Sequence, residues 1–85
     1  MFYLYILKSD RDNHLYIGST KDLTRRFKEH NNGVVCSTKN RRHLKLVYYE
    51  AYSVESEARK REHNLKLRAN ALNQLKIRIR ESLKH

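Results

Sequence analysis

The sequence predicts an α+β domain in which a three-stranded antiparallel sheet is flanked by helices, with the element order ββαβαα. Three observations lead to this fold class. Residues 2–7 form an apolar run that is too short to favour a helix, and side chains alternate along residues 44–52. Apolar residues then recur at helical spacing from residue 70 onwards. The 85 residues make a single domain, 1–85, with a modest core.

The first two strands are predicted to form a hairpin that carries two tyrosines. Residues 2–7 are rich in strand-forming side chains and apolar on both faces, which is typical of a central strand. A polar turn follows, and residues 14–18 return antiparallel to the first strand. Because alternate side chains of a strand face the same way, Tyr5 and Tyr16 are expected to lie on one face of the sheet.

A first helix is predicted over residues 21–30, directly after the hairpin. Gly18 is expected to let the backbone turn tightly before it, and Ser19 or Thr20 to cap it. An Asn-Asn-Gly segment then ends the helix, because glycine readily takes up the left-handed conformation.

The second half of the chain predicts a basic loop, a strand and two helices. The loop covers residues 34–43 and the strand covers residues 44–52. Ser53 is expected to cap the second helix, whose first turn is acidic. The third helix is predicted from Asn70, with an apolar seam formed by Leu72, Leu75, Ile79 and Leu83.

The charge balance points to a polyanionic partner. The chain has 19 Lys and Arg against 9 Asp and Glu, a net charge of +10, so nucleic acid is the first expectation. We expect no membrane partner and a cytoplasmic location, because the sequence has no long apolar run and no signal peptide. The single cysteine, Cys36, is expected to be a small buried or half-buried apolar residue. Histidines at metal-ligand spacing are absent, so a zinc site is not expected.

The strongest candidate for a metal ligand is Glu62. Helical spacing places its carboxylate on the apolar side of the second helix, where an ionised group must be paired or bound to a metal. Mg²⁺ commonly takes one or two protein carboxylates and keeps its other waters. The alternative is an ion pair with Arg26, Arg25 or a neighbour on the same helix.

Four further side chains are candidates for phosphodiester chemistry. Arg26 offers a planar, permanently charged fork to a phosphate, or is an ordinary solvated helix charge. His30 could orient a tyrosine hydroxyl or pass a proton, or is a histidine favoured by the C-terminal end of a helix dipole. Tyr5 and Tyr16 are candidates for handling water and protons, or are core tyrosines with satisfied hydroxyls.

Basic residues outside this group are predicted to position the nucleic-acid backbone without reading bases. They lie in the loop, on the first helix and on the outer face of the last helix. The residues expected to contact phosphates are Arg25, Lys39, Arg41 and Arg42. Tyrosines of the third strand, Tyr48, Tyr49 and Tyr52, could stack on unpaired bases or serve the strand and the core.

Several motifs occur together in a known order. Tyr3-Leu4-Tyr5 precedes Tyr16-Ile17-Gly18, with Tyr5 and Tyr16 separated by 11 positions. This pair resembles the signature of the GIY-YIG nucleases, residues 21–30 resemble the helix that carries that family's arginine, and residues 58–62 resemble the segment that carries its glutamate. The small single-domain members are the most similar, since they share the Ser-Thr-Lys-x-Arg-Arg pattern of residues 37–42.

The resemblance implies a metal-dependent endonuclease that acts on DNA, selective for structure rather than sequence, in repair or recombination. It implies that Glu62 holds Mg²⁺ or Mn²⁺, that Arg26 contacts the phosphate, and that the tyrosines and His30 handle water and proton. Tyr5 is expected to be the general base or its relay, because packing in a central strand can fix its ring, with Tyr16 orienting the water or phosphate. A protein partner is expected to supply target choice.

Two departures from the family pattern keep another class of function open. Tyr3 stands where the family name has glycine, and three residues compete for the asparagine that some members carry near the end, namely Asn64, Asn70 and Asn73. The alternative function is a non-catalytic basic module that binds nucleic acid, or a subunit of a larger repair complex.

Overall fold

A computed structural model of the chain describes residues 1–84. Its centre is an antiparallel sheet of three strands, β1 (Phe2–Ser9), β2 (Leu15–Thr20) and β3 (Leu44–Tyr52). The strand order is β2-β1-β3, so the hairpin and the central position predicted for the first strand are confirmed. The third strand has the predicted bounds.

The central strand β1 contributes to two separate cores. Leu4 and Ile6 face one side of the sheet and pack with residues of the later helices, including Leu65. Tyr5 and Leu7 face the other side, where the helix between β2 and β3 covers them. All four β1 side chains are at most 1 % exposed, which explains why the strand is apolar on both faces.

Helices cover both faces of the sheet. The helix between β2 and β3 lies on the side of Tyr5, whereas the helices after β3 contribute to the core around Leu4. A short 3₁₀ turn lies in the basic loop. The helices are α1 (Leu23–Asn31), α2 (Glu55–Leu67), α3 (Ala69–Arg78) and α4 (Arg80–Leu83), and the 3₁₀ turn is Lys39–Arg41.

The prediction of one continuous third helix is wrong. Ile79 leaves the helical conformation, with φ −109° and ψ 20°, and separates α3 from α4. Its side chain is only 8 % exposed, and Leu83 packs against the same core from the short helix beyond it. The change of direction keeps the side chains of Ile79 and Leu83 in contact with the core. The sequence has no glycine or proline near residue 79 that would indicate the bend.

Both predicted helix caps are also wrong. Strand β2 continues through Thr20, and Asp22 caps α1 by accepting a hydrogen bond from the Arg25 amide at 3.1 Å. A carboxylate at this position also suits the positive end of the helix dipole. Helix α2 follows Val54 in extended conformation, and no side chain, including that of Ser53, caps it.

The loop between α1 and β3 turns its single thiol outwards. Cys36 is exposed, contrary to expectation, because Val35 and Thr38 are the loop residues that pack inwards. Among the helices of residues 1–84, none has the length and apolar character that crossing a membrane requires.

Candidate active site

The site is built around the ring of Tyr5, which lies across β2 at Gly18. The two residues are direct partners in the antiparallel ladder. A Cβ atom at position 18 would lie 2.5 Å from the Tyr5 hydroxyl oxygen and 2.6 Å from Cζ, closer than such contacts occur. Gly18 is therefore needed to make room for the tyrosine, and not for a tight turn as expected, since it lies inside β2.

The Tyr5 hydroxyl is the first group in a chain of hydrogen bonds that continues through two other buried side chains. It makes a hydrogen bond of 2.9 Å with Nε2 of His30, near the end of α1. The other ring nitrogen of His30, Nδ1, makes a hydrogen bond of 2.7 Å with Oγ1 of Thr38 in the loop. Tyr5 is 1 % exposed and the other two residues are 0 % exposed, so this chain of three groups is closed to bulk water.

Burial keeps both ring systems of this chain uncharged at neutral pH. It raises the pKa of Tyr5 to about 12, although interaction with the Arg26 guanidinium partly offsets the rise. Burial also lowers the pKa of His30 to about 4, and the positive charge of Arg26 acts in the same direction. The Tyr5 phenol and the His30 imidazole are therefore both neutral donors and acceptors of hydrogen bonds.

Tyr16 lies between this buried group and the surface. Its ring centroid is 4.9 Å from that of His30 and 6.3 Å from that of Tyr5. The ammonium group of Lys66 lies 6.0 Å from the Tyr16 ring centroid, so a cation from α2 borders the ring. Tyr16 is half-buried, whereas Tyr5 is fully enclosed.

Arg26 completes the group on this face of the sheet. It extends from α1 and forms an ion pair with Glu29 at 3.1 Å, with 36 % of its side chain exposed. Interaction with the Tyr5 hydroxyl, together with that pair, raises the pKa of Arg26. The guanidinium is thus held next to Tyr5 and still reaches solvent, where a phosphate could meet it.

Glu62 reaches β2 from the opposite face of the sheet. The hydroxyl of Ser19 donates to one carboxylate oxygen at 2.6 Å, and the ammonium of Lys66 donates to the other at 2.7 Å. Burial alone would raise the pKa of Glu62, but these two hydrogen bonds outweigh it and the pKa is lowered. Of the predicted alternatives, the ion pair is with a helix neighbour and not with Arg25 or Arg26.

The surroundings of Glu62 fit a divalent cation that takes few protein ligands. Its carboxylate borders an open depression of about 410 Å³ that is also lined by Ser19, Arg59, His63 and Lys66. Within residues 1–84, no three His, Cys, Asp or Glu side chains are grouped closely enough to hold a metal. One ionised carboxylate beside a roomy, open depression suits an ion such as Mg²⁺, which keeps most of its waters.

The sheet edge at β2 is where these groups meet. Tyr5, Tyr16 and His30 lie together on one face with Arg26 beside them, and Glu62 reaches the edge from the other face. Lys66 links the two sides, since it contacts Glu62 and lies near the Tyr16 ring.

Three side chains that contact the predicted site residues are not evident from the sequence as site residues, namely Thr38, Ser19 and Lys66. Thr38 lies in a loop without periodicity, and the only signal for it is its place in the segment of residues 37–42. Ser19 was expected at a helix cap, whereas its hydroxyl contacts Glu62. Lys66 is four residues after Glu62, a spacing that does indicate a helical ion pair.

The predicted phosphate contacts fall into two groups. Arg25, Lys39 and Arg42 are exposed, and the Arg42 guanidinium folds against Gly33. Arg41 instead donates to Asp12 at 3.2 Å, and only 24 % of its side chain is exposed. This contact attaches the loop to the β1–β2 turn.

The third-strand tyrosines are divided in the same way. Tyr48 and Tyr52 donate their hydroxyls to Glu50, which also accepts from Arg61. Tyr49 is 52 % exposed and packs edge-on against Tyr3, with ring centroids 6.0 Å apart.

Comparison with known proteins gives a consistent result. Residues 1–76 match the family described as the GIY-YIG catalytic domain. UPF0213 protein SSP2268 of Staphylococcus saprophyticus is 46 % identical over 65 residues, which cover 75 % of this chain and 78 % of that protein. UPF0213 protein CPE1444 of Clostridium perfringens is 45 % identical over 67 residues, covering 78 % and 71 %.

A solved structure agrees with the fold. The solution NMR structure of the UPF0213 protein BH0048 from Bacillus halodurans is similar with a TM-score of 0.55 and 35 % identity. The match covers 88 % of this chain and 82 % of that one.

Proposed function

The chain belongs to the GIY-YIG family, and on that premise we propose that it is a metal-dependent endonuclease that hydrolyses phosphodiester bonds of DNA, selective for structure rather than sequence. Repair or recombination is the setting in which such an activity is used. A protein partner supplies the choice of target, and the cytoplasm is the compartment.

One observation carries this proposal. The Tyr5 hydroxyl and His30 are hydrogen-bonded across 25 positions of sequence, next to Tyr16 and Arg26, at the strand edge that Glu62 also reaches. A purely structural tyrosine needs one partner for its hydroxyl, but it does not need an adjacent second tyrosine, an arginine that reaches solvent and a carboxylate at the same edge.

Glu62 would hold the metal ion, Mg²⁺ or Mn²⁺. When bound, the ion would act as a Lewis acid on phosphate oxygens and would stabilise the negative charge that develops on them. Ser19 orients the carboxylate by donating to one of its oxygens. The Lys66 ammonium, which now contacts the other oxygen, would have to move aside from it.

Arg26 would stabilise the negative charge on the scissile phosphate. Its contact with Glu29 and its place beside Tyr5 fix the fork on one side, and the exposed part is free to make parallel hydrogen bonds to two phosphate oxygens.

The two tyrosines have different surroundings, which supports different roles. Tyr5 is enclosed, and a pKa of about 12 opposes its ionisation. We therefore assign Tyr5 to holding His30 and the Arg26 guanidinium in place through its neutral hydroxyl. Tyr16, half-buried beside Lys66, is assigned to taking the proton of the attacking water. The role of base, which strand position alone favoured for Tyr5, is thus assigned to Tyr16.

A second function keeps one specific observation in its favour. Glu62 is already paired with Lys66, as it would be in a basic module that binds nucleic acid without cutting it. In that case the exposed cations still bind DNA, but no product forms.

The experiment that separates the two functions compares nicked, flapped, branched and plain duplexes in Mg²⁺, in Mn²⁺ and in chelator. We expect metal-dependent cleavage by the wild type and none by Glu62→Gln, whose affinity for DNA in chelator stays the same or rises. Glu57→Gln, on the exposed face of the same helix, is the matched control and should cut normally. Binding without cleavage in every metal would establish the module instead.

A further inference from the structure

One tyrosine on the face of the sheet that carries Tyr5 is largely exposed. Tyr49 has 52 % of its surface exposed, and no other tyrosine or phenylalanine within residues 1–84 is exposed to a comparable extent. Its direct partner in the antiparallel ladder is Tyr5. Because the side chains of directly paired residues stand on the same face of a sheet, Tyr49 shares the face of the proposed site.

An irregularity in β3 determines which tyrosine faces this side. Strict alternation would put Tyr48 on the same face as Leu46. Val47 has no ladder partner on β1, however, and this bulge shifts the alternation by one residue. Val47 and Tyr48 both pack into the core around Leu4, and Tyr49 returns to the face of Leu46.

Tyr3 supports the Tyr49 ring from the neighbouring strand. The two ring centroids are 6.0 Å apart, and the ring planes meet edge-on at 64°. This contact steadies the Tyr49 ring, while solvent still reaches about half of its surface. Tyr3 is also the residue at which the chain departs from the family signature, since the signature has glycine there and glycine supplies no ring.

An open depression lies beside the Tyr3–Tyr49 pair at the start of α1. Its volume is about 330 Å³, and the pair lines it together with Lys21, Asp22, Leu23 and Thr24. Lys21 is exposed, whereas the Asp22 carboxylate is occupied as the cap of α1. An exposed aromatic ring beside a cation is the combination that binds single-stranded nucleic acid, because the ring takes a base and the cation takes a phosphate.

The depression is close to the proposed site of cleavage. Tyr49, Tyr5 and Gly18 are successive partners in one row across the sheet, and the Tyr5 hydroxyl lies over Gly18. Neighbouring strands are about 4.8 Å apart, so Tyr49 is ~10 Å from Gly18 along this row. A stacked strand of nucleic acid covers that distance with about three nucleotides. A base held on Tyr49 is therefore within a few nucleotides of the scissile phosphate.

We propose that Tyr49, supported by Tyr3, stacks on one unpaired base of the DNA, and that the substrate class is DNA with a single-stranded segment beside the cut, such as a flap. A base inside a continuous duplex is covered on both faces by its neighbours and offers none to Tyr49. The net charge of +10 favours a polyanion in the depression over a second copy of the chain. The meaning for cleavage rests on the proposed function, whereas the stacking requires only that the chain binds DNA.

The test is photocrosslinking in chelator, where metal-dependent cleavage does not take place. The DNA is a flapped duplex with 5-iodouracil at one of the first three flap positions, and a plain duplex with the same base paired is the reference. We expect mass spectrometry to find the crosslink on Tyr49 with the flapped duplex and not with the plain duplex. Crosslinks confined to other residues, or none from any of the three positions, would overturn the proposal. This measurement needs no variant to fold.

Variants then test the ring itself. Tyr49→Leu removes the aromatic face but keeps an apolar side chain, and we expect it to bind the flapped duplex about tenfold more weakly in chelator, in the range for one stacked base. Its affinity for plain duplex should not change, and Tyr49→Phe should match the wild type on both. Ile77→Ala, at a 65 % exposed position on α3, is the control for loss of an exposed apolar side chain. Equal losses on both DNAs in Tyr49→Leu would overturn the proposal.

Cleavage separates this proposal from the proposed function. In Mg²⁺, Tyr49→Leu should lose about tenfold in kcat/KM on flapped duplex, and its preference for flapped over nicked duplex should fall by the same factor. A wild type that crosslinks at Tyr49 but never cleaves overturns the proposed function and leaves the stacking in place. A wild type whose cleavage is the same in Tyr49→Leu on every DNA leaves the nuclease in place and overturns the substrate class.

The oligomeric state without DNA tests the other occupant. We expect a monomer for both the wild type and Tyr49→Lys in analytical ultracentrifugation. A wild-type dimer that dissociates in Tyr49→Lys would identify a second copy of the chain as the occupant and would overturn the proposal.

Discussion

The hydroxyl of Tyr5 occupies the space where any residue other than glycine at position 18 would place its Cβ. The separation from that Cβ position would be 2.5 Å. A tyrosine on the central strand and a glycine on the edge strand are therefore one structural unit, and the second is present because of the first.

Gly18→Ala should displace the Tyr5 ring. Overpacking of this kind costs about 1–3 kcal/mol, so we expect the free energy of unfolding in urea to fall by that amount and DNA cleavage to be lost. Thr20→Ala, two residues further along the same strand and opposite Tyr3, is the control, because it removes atoms instead of adding them. Unchanged stability and rate in Gly18→Ala would mean that the ring has room to move aside.

Arg26→Lys should reduce the rate of cleavage far more than affinity for DNA. The charge stays while the planar fork is lost, so transition-state stabilisation should fall by ~2–4 kcal/mol, on the scale of losing an oxyanion-hole donor. Arg25→Lys, next in sequence and exposed, is the matched control. Equal losses of rate and affinity in Arg26→Lys would favour a general phosphate contact.

Tyr5→Phe and Tyr16→Phe should differ in their pH–rate profiles at saturating metal and DNA. Each substitution deletes only a hydroxyl, so folding and binding should persist. If Tyr16 takes the proton from water, its variant loses the rising limb of the profile, and Tyr5→Phe keeps that limb at reduced height. The reverse pattern would return the base to Tyr5, and near wild-type rates in both would remove tyrosine from the mechanism.

The exposed loop cations should set the salt dependence of DNA binding. If ~4–6 phosphates are neutralised, the slope of log K against log salt is roughly −4 to −5 on duplex DNA. Lys39→Ala with Arg42→Ala should flatten that slope by roughly two contacts. Arg41→Ala should change it less and destabilise the fold more, because Arg41 is paired with Asp12. A wild-type slope near zero would contradict backbone binding.

His30 should make the fold sensitive to mild acid. Its pKa is about 4 in the folded protein and ~6.5 when unfolded, so the unfolded chain binds the extra proton first. Stability should therefore fall as pH decreases from ~6.5 to ~4, by about 3 kcal/mol in total from this residue. Urea unfolding across that range should show the loss in wild type and in exposed-site His63→Gln, but not in His30→Gln. Parallel curves for all three would contradict the buried, neutral histidine.

The sequence was informative wherever a pattern is local and repeated. Leu44–Tyr52 alternates over nine residues and has the predicted bounds, and the run in β1 correctly indicated burial on both faces. At the start of α1, Ser19, Thr20 and Asp22 are all good capping residues. Only the length of β2, fixed by pairing with β1, shows that Asp22 is the cap.

Contacts across the sequence were the part that could not be predicted. Thr38 meets His30 because an irregular loop folds back over α1, and no periodicity describes such a loop. The bend at Ile79 follows from the shape of the core that α3 and α4 share, not from a helix-breaking residue. Glu62 was correctly placed on the inner side of α2, yet its partner Ser19 lies 43 positions away.

Strand β1 belongs to both cores, and this determines how its backbone is protected from exchange with solvent. Segments that stand between two packed layers exchange their amide hydrogens only when most of the molecule opens, because no small local fluctuation uncovers them. The backbone of Tyr5 is protected in this way because its neighbours Leu4 and Ile6 pack into the opposite layer. The amides of β1 are thus expected to exchange only when most of the molecule opens, whereas the groups around Glu62, at the open edge, can rearrange on the faster timescale of surface side chains.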